Sequence, residues 1–180
     1  MPLVLGIDSS LTGTGLCLVD PLADPPTIQV HTVRPPGPKT KTRREYSRRV
    51  SAAVEVIDAA MEGVDLIVME ELAYAAKGDT AFVLPWMWGR IIDCAEARDI
   101  PLSFANVSQL KKYATGIGNC DKDQVIAKVV RDYPEVAISN NNEADALVLA
   151  QIGCRGLGHP IDHPTVKKAE VMAKIVGGTR

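Results

Sequence analysis

The sequence LVLGIDSSLTGTG, residues 3–15, decides the fold of this 180-residue chain. Its first half is an apolar run that ends in Asp8, and its second half is a turn that contains two glycines. This order is typical of a buried strand that presents a carboxylate where the sheet meets solvent. The pattern recurs at residues 66–70, where the run LIVM ends in Glu70. Two such strands predict carboxylates that converge on one place, which is the arrangement that a divalent metal ion requires.

The composition is that of a single globular domain, with 46% hydrophobic and 23% charged residues. The chain has no apolar run long enough to span a membrane and no N-terminal pattern of a secretory signal. Its four cysteines are scattered, with no C-x-x-C pair. That spacing argues against a zinc site or a disulfide framework and favours a reducing compartment. We therefore expect a cytoplasmic protein without a membrane partner.

Helices and strands alternate after an N-terminal group of three strands. The three strands are predicted at residues 3–8, 14–19 and 27–33, as an antiparallel meander. Later strands are predicted at 65–70 and 101–105, and helices at 42–61, 79–98, 108–116, 122–133 and 142–154. This order predicts an α/β fold of the ribonuclease H-like type, with a mixed five-stranded sheet and flanking helices. We expect one domain over residues 1–154, followed by a partly helical C-terminal extension, 155–180.

Single residues predict where several helices begin or end. Pro85 predicts a kink or an early first turn in the 79–98 helix. Ser108 is the expected N-cap of the next helix, and Gly116 is its expected end. Asp121 lies three residues before Gln124, which predicts a capping box at the start of the 122–133 helix.

A third acid, Asp145, lies near the start of the last core helix, within NEADAL, residues 142–147. Asn142 is three residues earlier and shares its helix face. Taken singly, Asp145 is typical of a helix-capping acid, and Glu70 of a strand-end residue paired with a lysine. Three acids that each lie at the edge of a core element, Asp8 included, favour one shared site over three separate caps.

The net charge of −2 hides a basic stretch at residues 31–50. Glu45 is the only acid there, and the basic residues are Arg34, Lys39, Lys41, Arg43, Arg44, Arg48 and Arg49. Such a stretch on an acidic protein is compatible with a polyanionic partner, although charge alone favours a solvated helix face. Arg43, Arg44 and Arg48 are the candidate contacts to the phosphates of such a partner.

Four short motifs, two of which contain the acidic strand ends, are distributed along the chain in a distinctive order. They are Leu5-Gly6-Ile7-Asp8, Val68-Met69-Glu70, Thr115-Gly116-Ile117-Gly118 and Glu143-Ala144-Asp145-Ala146-Leu147. In order and spacing they resemble the RuvC family of Holliday-junction resolvases across residues 3–153. The short length and divergent flanks resemble a phage-type or otherwise divergent member.

This resemblance implies roles for particular residues. Asp8, Glu70 and Asp145 match the family's catalytic metal ligands, and Lys111 and Lys122 match two lysines linked to phosphate contact and catalysis. Both lysines are also compatible with ordinary surface positions. The implied cofactors are two Mg²⁺ ions per site, for which Mn²⁺ would substitute, with Asp8 as the expected bridge between them.

The implied activity is resolution of four-way and related branched DNA by paired, metal-dependent phosphodiester hydrolysis. A homodimer would present two identical sites to two symmetry-related strands. Trp86 and Trp88 on the 79–98 helix favour buried packing or a subunit interface. The resemblance implies that this helix is the dimer helix, which favours the interface and leaves stacking on nucleic acid as the minor alternative. The basic stretch is expected to contact DNA through phosphates, and nothing in the sequence identifies a helicase partner.

Two departures from the family pattern carry expectations of their own. The family commonly has an acid where this chain has Asn142, so Asn142 is expected to be a weak or water-mediated fourth ligand. Glu143 lies about 160° around the helix from Asp145, at roughly 100° per residue, and should point elsewhere. After the second acidic strand the family places an aromatic wedge. Tyr74, with Lys77 beside it, is the candidate DNA contact there, although packing at a loop edge is an equally good interpretation of Tyr74.

The sequence leaves two other functions open. Another ribonuclease H-like nuclease, acting on RNA–DNA hybrids or simple branches, would use the same carboxylates. A scaffold that holds branched DNA without cutting it would account for the missing acid at Asn142. Cleavage of a synthetic four-way junction in the presence of Mg²⁺ or Mn²⁺ separates these possibilities.

Overall fold

The computed structural model describes residues 2–37, 42–72 and 81–177. In these ranges one mixed sheet has the strand order β3-β2-β1-β4-β5-β6. The strands are β1 (Val4–Asp8), β2 (Thr14–Asp20), β3 (Thr27–Val33), β4 (Leu66–Glu70), β5 (Leu102–Ala105) and β6 (Val176–Gly177). The first three form the predicted antiparallel meander, and β4 and β5 run parallel to β1.

Helices cover both faces of this sheet. They are α1 (Arg43–Ala59), α2 (Val83–Ala97), α3 (Val107–Thr115), α4 (Lys122–Asp132), α5 (Asn141–Gly156) and α6 (Val166–Met172). Alternate residues of β1 point to opposite faces. Leu5 and Ile7 pack in the core formed with α1 and α2, and Val4 packs in the core formed with the other helices. None of the helices in the described ranges is both long and apolar enough to cross a bilayer.

The helix α5 lies unusually close to the sheet. A Cβ atom on Gly6 of β1 would overlap the carbonyl oxygen of Ala146, and one on Gly15 of β2 would overlap that of Asn142. Glycine at these two strand positions therefore lets the helix backbone rest directly on the sheet. As a result, the first turns of α5 lie beside the end of β1, where Asp8 is found.

Most of the predicted helix ends agree with the structure. Pro85 is the third residue of α2, so the expected early first turn is confirmed. Gly116 ends α3 in the left-handed conformation with φ 86°, which glycine adopts without strain. Asp121 is the N-cap of α4, and its N–H donates to Gln124 Oε1 over 3.1 Å. The prediction of Ser108 as the N-cap of α3 was wrong.

The N-cap of α3 is Asn106, two residues before the predicted position. Its Oδ1 accepts from the N–H of Gln109, and Gln109 Oε1 accepts from the N–H of Asn106, at 2.9 and 2.8 Å. This reciprocal pair satisfies two backbone donors, which a cap at Ser108 would have left exposed. The helix therefore begins as soon as β5 ends.

Among the residues that the structure describes, the sheet contains one strand more than the predicted five. β6 consists of only two residues, too few for a sequence pattern, and it pairs with Ser103 and Phe104 of β5. The C-terminal segment that supplies it also packs α6 against α3. The division of the chain at residue 154 stays a prediction, and α5 continues past that point to Gly156.

Candidate active site

The three candidate acids come from three core elements that meet at one edge of the sheet. Asp8 is the last residue of β1 and Glu70 the last residue of β4, and these strands are parallel neighbours that pair Ile7 with Met69. Asp145 lies in the second turn of α5, which packs on β1, β2 and β4. Asp8 and Asp145 are each only 8% exposed. The structure thus brings together acids that are separated by more than sixty residues in the chain.

The electrostatics of these acids are those of crowded, buried carboxylates. Burial, followed by the charges of Glu70 and Asp145, raises the pKa of Asp8 to about 8. Burial and then the charge of Asp145 raise the pKa of Glu70 to about 7. Burial raises the pKa of Asp145 to about 6. Near neutral pH the site therefore holds protons that a divalent cation would displace.

Two lysines face the same acids. The positive charge of Lys122 lowers the pKa of all three carboxyls, and that of Lys111 lowers the pKa of Glu70 and Asp145. A cavity of about 40 Å³ lies between the two lysines, Glu70 and Asp145, and its other lining residues are Val107, Leu110 and Val125. We call it the acid–lysine cavity. Its volume suits one small ion or a water molecule.

A hydrogen bond to the backbone fixes the position of the Lys111 side chain. Its Nζ donates to the carbonyl oxygen of Cys120 over 2.6 Å, across the loop between α3 and α4. Lys122 begins α4 directly after that loop. Both sequence-predicted lysines therefore belong to the site, and one short loop connects them.

The three acids lie near one another, but their side chains do not form a complete metal coordination shell. Within residues 2–37, 42–72 and 81–177, no three His, Cys, Asp or Glu side chains are grouped tightly enough to hold a metal ion as they lie. The donor chemistry nevertheless fits such an ion, because hard divalent cations select carboxylate oxygens. The repulsion recorded in the raised pKa values of Asp8 and Glu70 is what a cation would relieve.

The predicted fourth ligand, Asn142, is hydrogen-bonded to the turn that follows Asp8. Its Nδ2 donates a hydrogen bond to the carbonyl oxygen of Gly13. An aspartate has no hydrogen to donate there. The amide at this position therefore serves the turn, and its role as a ligand stays a prediction.

Glu143 points away from Asp145, as its angular position on the helix predicts. Its buried carboxylate accepts from Thr32 Oγ1 over 2.5 Å, and from the N–H and Oγ of Ser139 over 2.7 Å each. Burial by itself would raise the pKa of Glu143, but these hydrogen bonds hold it below its ordinary value. Glu143 is therefore an ionised anchor and not a metal donor.

The candidate DNA contacts have mixed outcomes. The guanidinium of Arg43 stacks on the ring of Phe82 at 4.1 Å, and Arg48 pairs with Glu45 over 3.4 Å. Arg44 is exposed on α1. The other two candidates, Tyr74 and Lys77, lie outside the described residues.

Sequence reasoning missed the supporting role of Arg49 and expected Trp88 at an interface, whereas both side chains donate to backbone carbonyls beside the site. Trp88 Nε1 donates to the backbone carbonyl of Glu70 over 3.1 Å, and the ring packs on Phe104. Arg49 donates through Nη2 to the carbonyl of Leu11, in the loop after Asp8. Arg49 had been counted only as part of a basic stretch, because no pattern distinguishes an arginine that holds a loop from one that faces solvent.

Comparison with known proteins identifies the family. The sequence profile of the crossover junction endodeoxyribonuclease RuvC matches residues 4–152. The chain belongs to the RuvC family. This confirms the resemblance over nearly the whole range that the four motifs predicted.

Individual RuvC proteins agree with this assignment. RuvC of Parafrankia sp. strain EAN1pec is 32% identical over 153 residues, covering 82% of this chain and 83% of the relative. RuvC of Nocardia farcinica strain IFM 10152 is 32% identical over 154 residues, covering 84% and 80%. The solved structure of Thermus thermophilus RuvC in complex with Holliday junction substrate superposes with a TM-score of 0.68 at 19% identity, covering 88% of this chain and 98% of that one. The predicted ribonuclease H-like fold is confirmed.

Proposed function

We propose that this RuvC-family chain is a structure-selective endodeoxyribonuclease that resolves four-way DNA junctions. The observation that carries the proposal is the convergence of the buried Asp8 and Asp145 with the half-buried Glu70, all with raised pKa values, in a chain that matches the RuvC profile over residues 4–152. Carboxylates at one edge of a sheet are suited to metal-dependent hydrolysis of phosphodiesters.

Mg²⁺, with Mn²⁺ as a substitute, is the proposed cofactor, with two ions per site. Asp8, Glu70 and Asp145 would hold the ions, and Asp8 is the proposed shared ligand because both other acids raise its pKa. Bound there, the ions would activate a water molecule and stabilise the leaving oxygen. The protein's own contribution is a largely buried edge of the sheet, where lowered solvent exposure strengthens the charge interactions of Asp8 and Asp145.

Lys111 and Lys122 are proposed to bind the phosphate that is cut. Lys122 is the more central of the two, because its charge acts on all three carboxyls. The hydrogen bond from Lys111 to Cys120 fixes the direction of its side chain. A cation held in place before the substrate arrives stabilises charge that develops on the phosphate, without further reorganisation.

We propose that the enzyme acts as a two-fold homodimer and makes paired nicks in the junction. In α2, Trp86 is 36% exposed, which is unusual for so large an apolar side chain and suits an interface. Trp88 is instead turned inward to Glu70. A two-fold dimer built on α2 would give two copies of the site to two symmetry-related strands.

One observation favours a second candidate function, a protein that holds branched DNA without cutting it. Asn142 is neutral, and its amide nitrogen is already bonded to Gly13. A site with one acid fewer binds metal less tightly, so loss of cleavage with retained binding is a coherent alternative.

A cleavage assay on matched substrates separates these functions. The protein is incubated with Mg²⁺ or Mn²⁺ and a four-way junction, a Y-shaped duplex, a linear duplex or an RNA–DNA hybrid, with each strand labelled in turn. The proposal predicts symmetric nicks in the junction and little cutting of the linear duplex. Digestion of the hybrid alone would contradict the proposal in favour of a ribonuclease, and binding without cleavage would establish the scaffold.

A further inference from the structure

The first turn of α5 is tied to the edge strand β3 by a small, partly buried hydrogen-bond network. Glu143 accepts three hydrogen bonds, one from Thr32 of β3 and two from Ser139, at 2.5 to 2.7 Å. Asn140 Nδ2 donates to Thr32 Oγ1 over 2.8 Å, and Asn140 Oδ1 caps the helix at the N–H of Glu143. We call these four residues, Thr32, Ser139, Asn140 and Glu143, the α5 clamp.

The α5 clamp buries a carboxylate, and burying a charged group costs free energy that its hydrogen bonds must offset. Glu143 is 6% exposed and Thr32 is 8% exposed. A buried carboxylate is tolerated only when its oxygens are fully hydrogen-bonded. Thr32 and Glu143 are 111 residues apart in the chain. Their contact therefore fixes the distance and rotation between two elements that nothing local connects.

The position that this contact fixes is that of Asp145. Asp145 is two residues after Glu143 on the same helix, and its partner Asp8 belongs to β1 in the same sheet as Thr32. The backbone of α5 already touches β2 at Gly15, so the helix can move only by sliding or turning over the sheet. The α5 clamp resists that movement. Metal donors must hold their positions within a few tenths of an ångström, so a small rotation of α5 matters more for metal binding than for folding.

We propose that Glu143 is a positioning residue, which sets the affinity of the active site for its divalent metal by holding Asp145 against Asp8. This inference rests on the proposed function, because it takes Asp145 and Asp8 to be metal ligands. It assigns Glu143 no contact with metal or DNA. The extra acid in the first turn of α5 thus serves the site from outside it, on the side opposite to the acid–lysine cavity.

The test compares variants that break the clamp with one that breaks α5 elsewhere. Glu143→Ala removes the acceptor, Thr32→Val removes one hydroxyl while keeping the shape, and Thr32→Ser restores the hydroxyl. Asp162→Asn is the matched control, because Asp162 pairs with Arg155 at the far end of α5 over 2.5 Å. Mn²⁺ alone is titrated into each full-length protein, and binding is followed by the rise in Tm and by the electron paramagnetic resonance signal of free Mn²⁺.

Glu143→Ala and Thr32→Val are expected to raise the half-saturating Mn²⁺ concentration about 10-fold, the usual effect of removing a group that supports a ligand. Thr32→Ser and Asp162→Asn should keep the wild-type concentration, although Asp162→Asn also lowers Tm. Junction binding without divalent metal should be the same in all of them. If Glu143→Ala does not fold, Thr32→Val decides the result, since it leaves both bonds from Ser139 intact.

Three results would overturn the inference in different ways. Wild-type Mn²⁺ affinity in Thr32→Val, with a lowered Tm, would make the α5 clamp a purely structural feature and leave the proposed function untouched. Equal weakening of Mn²⁺ binding by Asp162→Asn would show that any disturbance of α5 has this effect. A wild-type protein that bound no Mn²⁺ would remove the metal site itself, and the inference with it.

Discussion

Replacing Asp8 with asparagine should stabilise the metal-free protein while abolishing its chemistry. In the folded chain the pKa of Asp8 is about 8, against 3.8 for a free aspartate. At pH 7 the unfolded chain is ionised at this position, whereas the fold keeps the group protonated. One pKa unit corresponds to about 1.4 kcal/mol, so the fold is destabilised by up to about 4 kcal/mol. Because Glu70 and Asp145 share the repulsion, we expect a gain of about 2–4 kcal/mol in Asp8→Asn.

The pH dependence of that gain gives the prediction its sign. When the folded-state pKa of a carboxyl is raised, the free energy of unfolding is highest at low pH, where the group is protonated in both states. It decreases as the pH rises from the unfolded-state pKa of 3.8 towards the folded-state pKa of about 8. Asparagine does not titrate, so its advantage over aspartate should grow across this interval. At pH 4.5 it should fall to about 1 kcal/mol.

Thermal unfolding in EDTA at pH 4.5 and pH 7 measures both values. A gain of 2–4 kcal/mol corresponds to a rise in Tm of about 5–15 °C at pH 7 for a chain of this length. Asp93→Asn, a change of an exposed aspartate on α2, is the control and should leave Tm within about 2 °C. An equal gain at both pH values, or none at pH 7, would refute the account of Asp8 as a crowded, buried acid.

Other substitutions test other parts of the site. Lys122→Ala should slow junction cleavage by at least about 100-fold. It should also move the acidic limb of the pH–rate profile to higher pH, because the three acids lose the charge that lowers their pKa. Gly15→Ala should cost about 3 kcal/mol or more in urea unfolding, whereas Gly37→Ala, where a Cβ meets open space, should be neutral. Trp88→Phe removes the donor to the Glu70 carbonyl and should cost about 1 kcal/mol, with a matching fall in cleavage rate.

The parts of the fold that the sequence predicts are those with a local pattern. An apolar run that ends in an acid identifies β1 with Asp8 and β4 with Glu70. Once the two strands are known to be parallel neighbours, the meeting of their acids follows from sheet geometry. Asp145 follows in the same way from the start of an apolar helix. Local patterns of apolar residues thus predict both the main elements of the fold and the positions of the three central acids.

The contacts that sequence reasoning missed join residues with no local pattern in common. The donors in Arg49 and Trp88 reach backbone carbonyls at Leu11 and Glu70, and backbone acceptors leave no trace in a side-chain pattern. The α5 clamp joins residues 111 positions apart. Ser108 was predicted as an N-cap because it suits that position equally well by itself. Only the end of β5 decides that the helix starts earlier.

The role of Asn142 follows from its sequence position and its tertiary contact taken together. The sequence shows a neutral residue where the family commonly has an acid, and this suggested a weaker ligand. The structure adds the hydrogen bond from its amide to Gly13, a use for the nitrogen that aspartate lacks. Together these observations predict a site whose carboxylate ligands are Asp8, Glu70 and Asp145.

The most direct test of the central claim is to measure cleavage and binding of one synthetic four-way junction by the wild type and Asp8→Asn side by side. With Mg²⁺, the wild type should introduce paired nicks, and Asp8→Asn should bind the junction with a Kd within about threefold but cut it at least about 100-fold more slowly. Cleavage by Asp8→Asn at the wild-type rate would contradict the proposed active site. A wild type that binds the junction and never cuts it, with Mg²⁺ or with Mn²⁺, would contradict the proposed function.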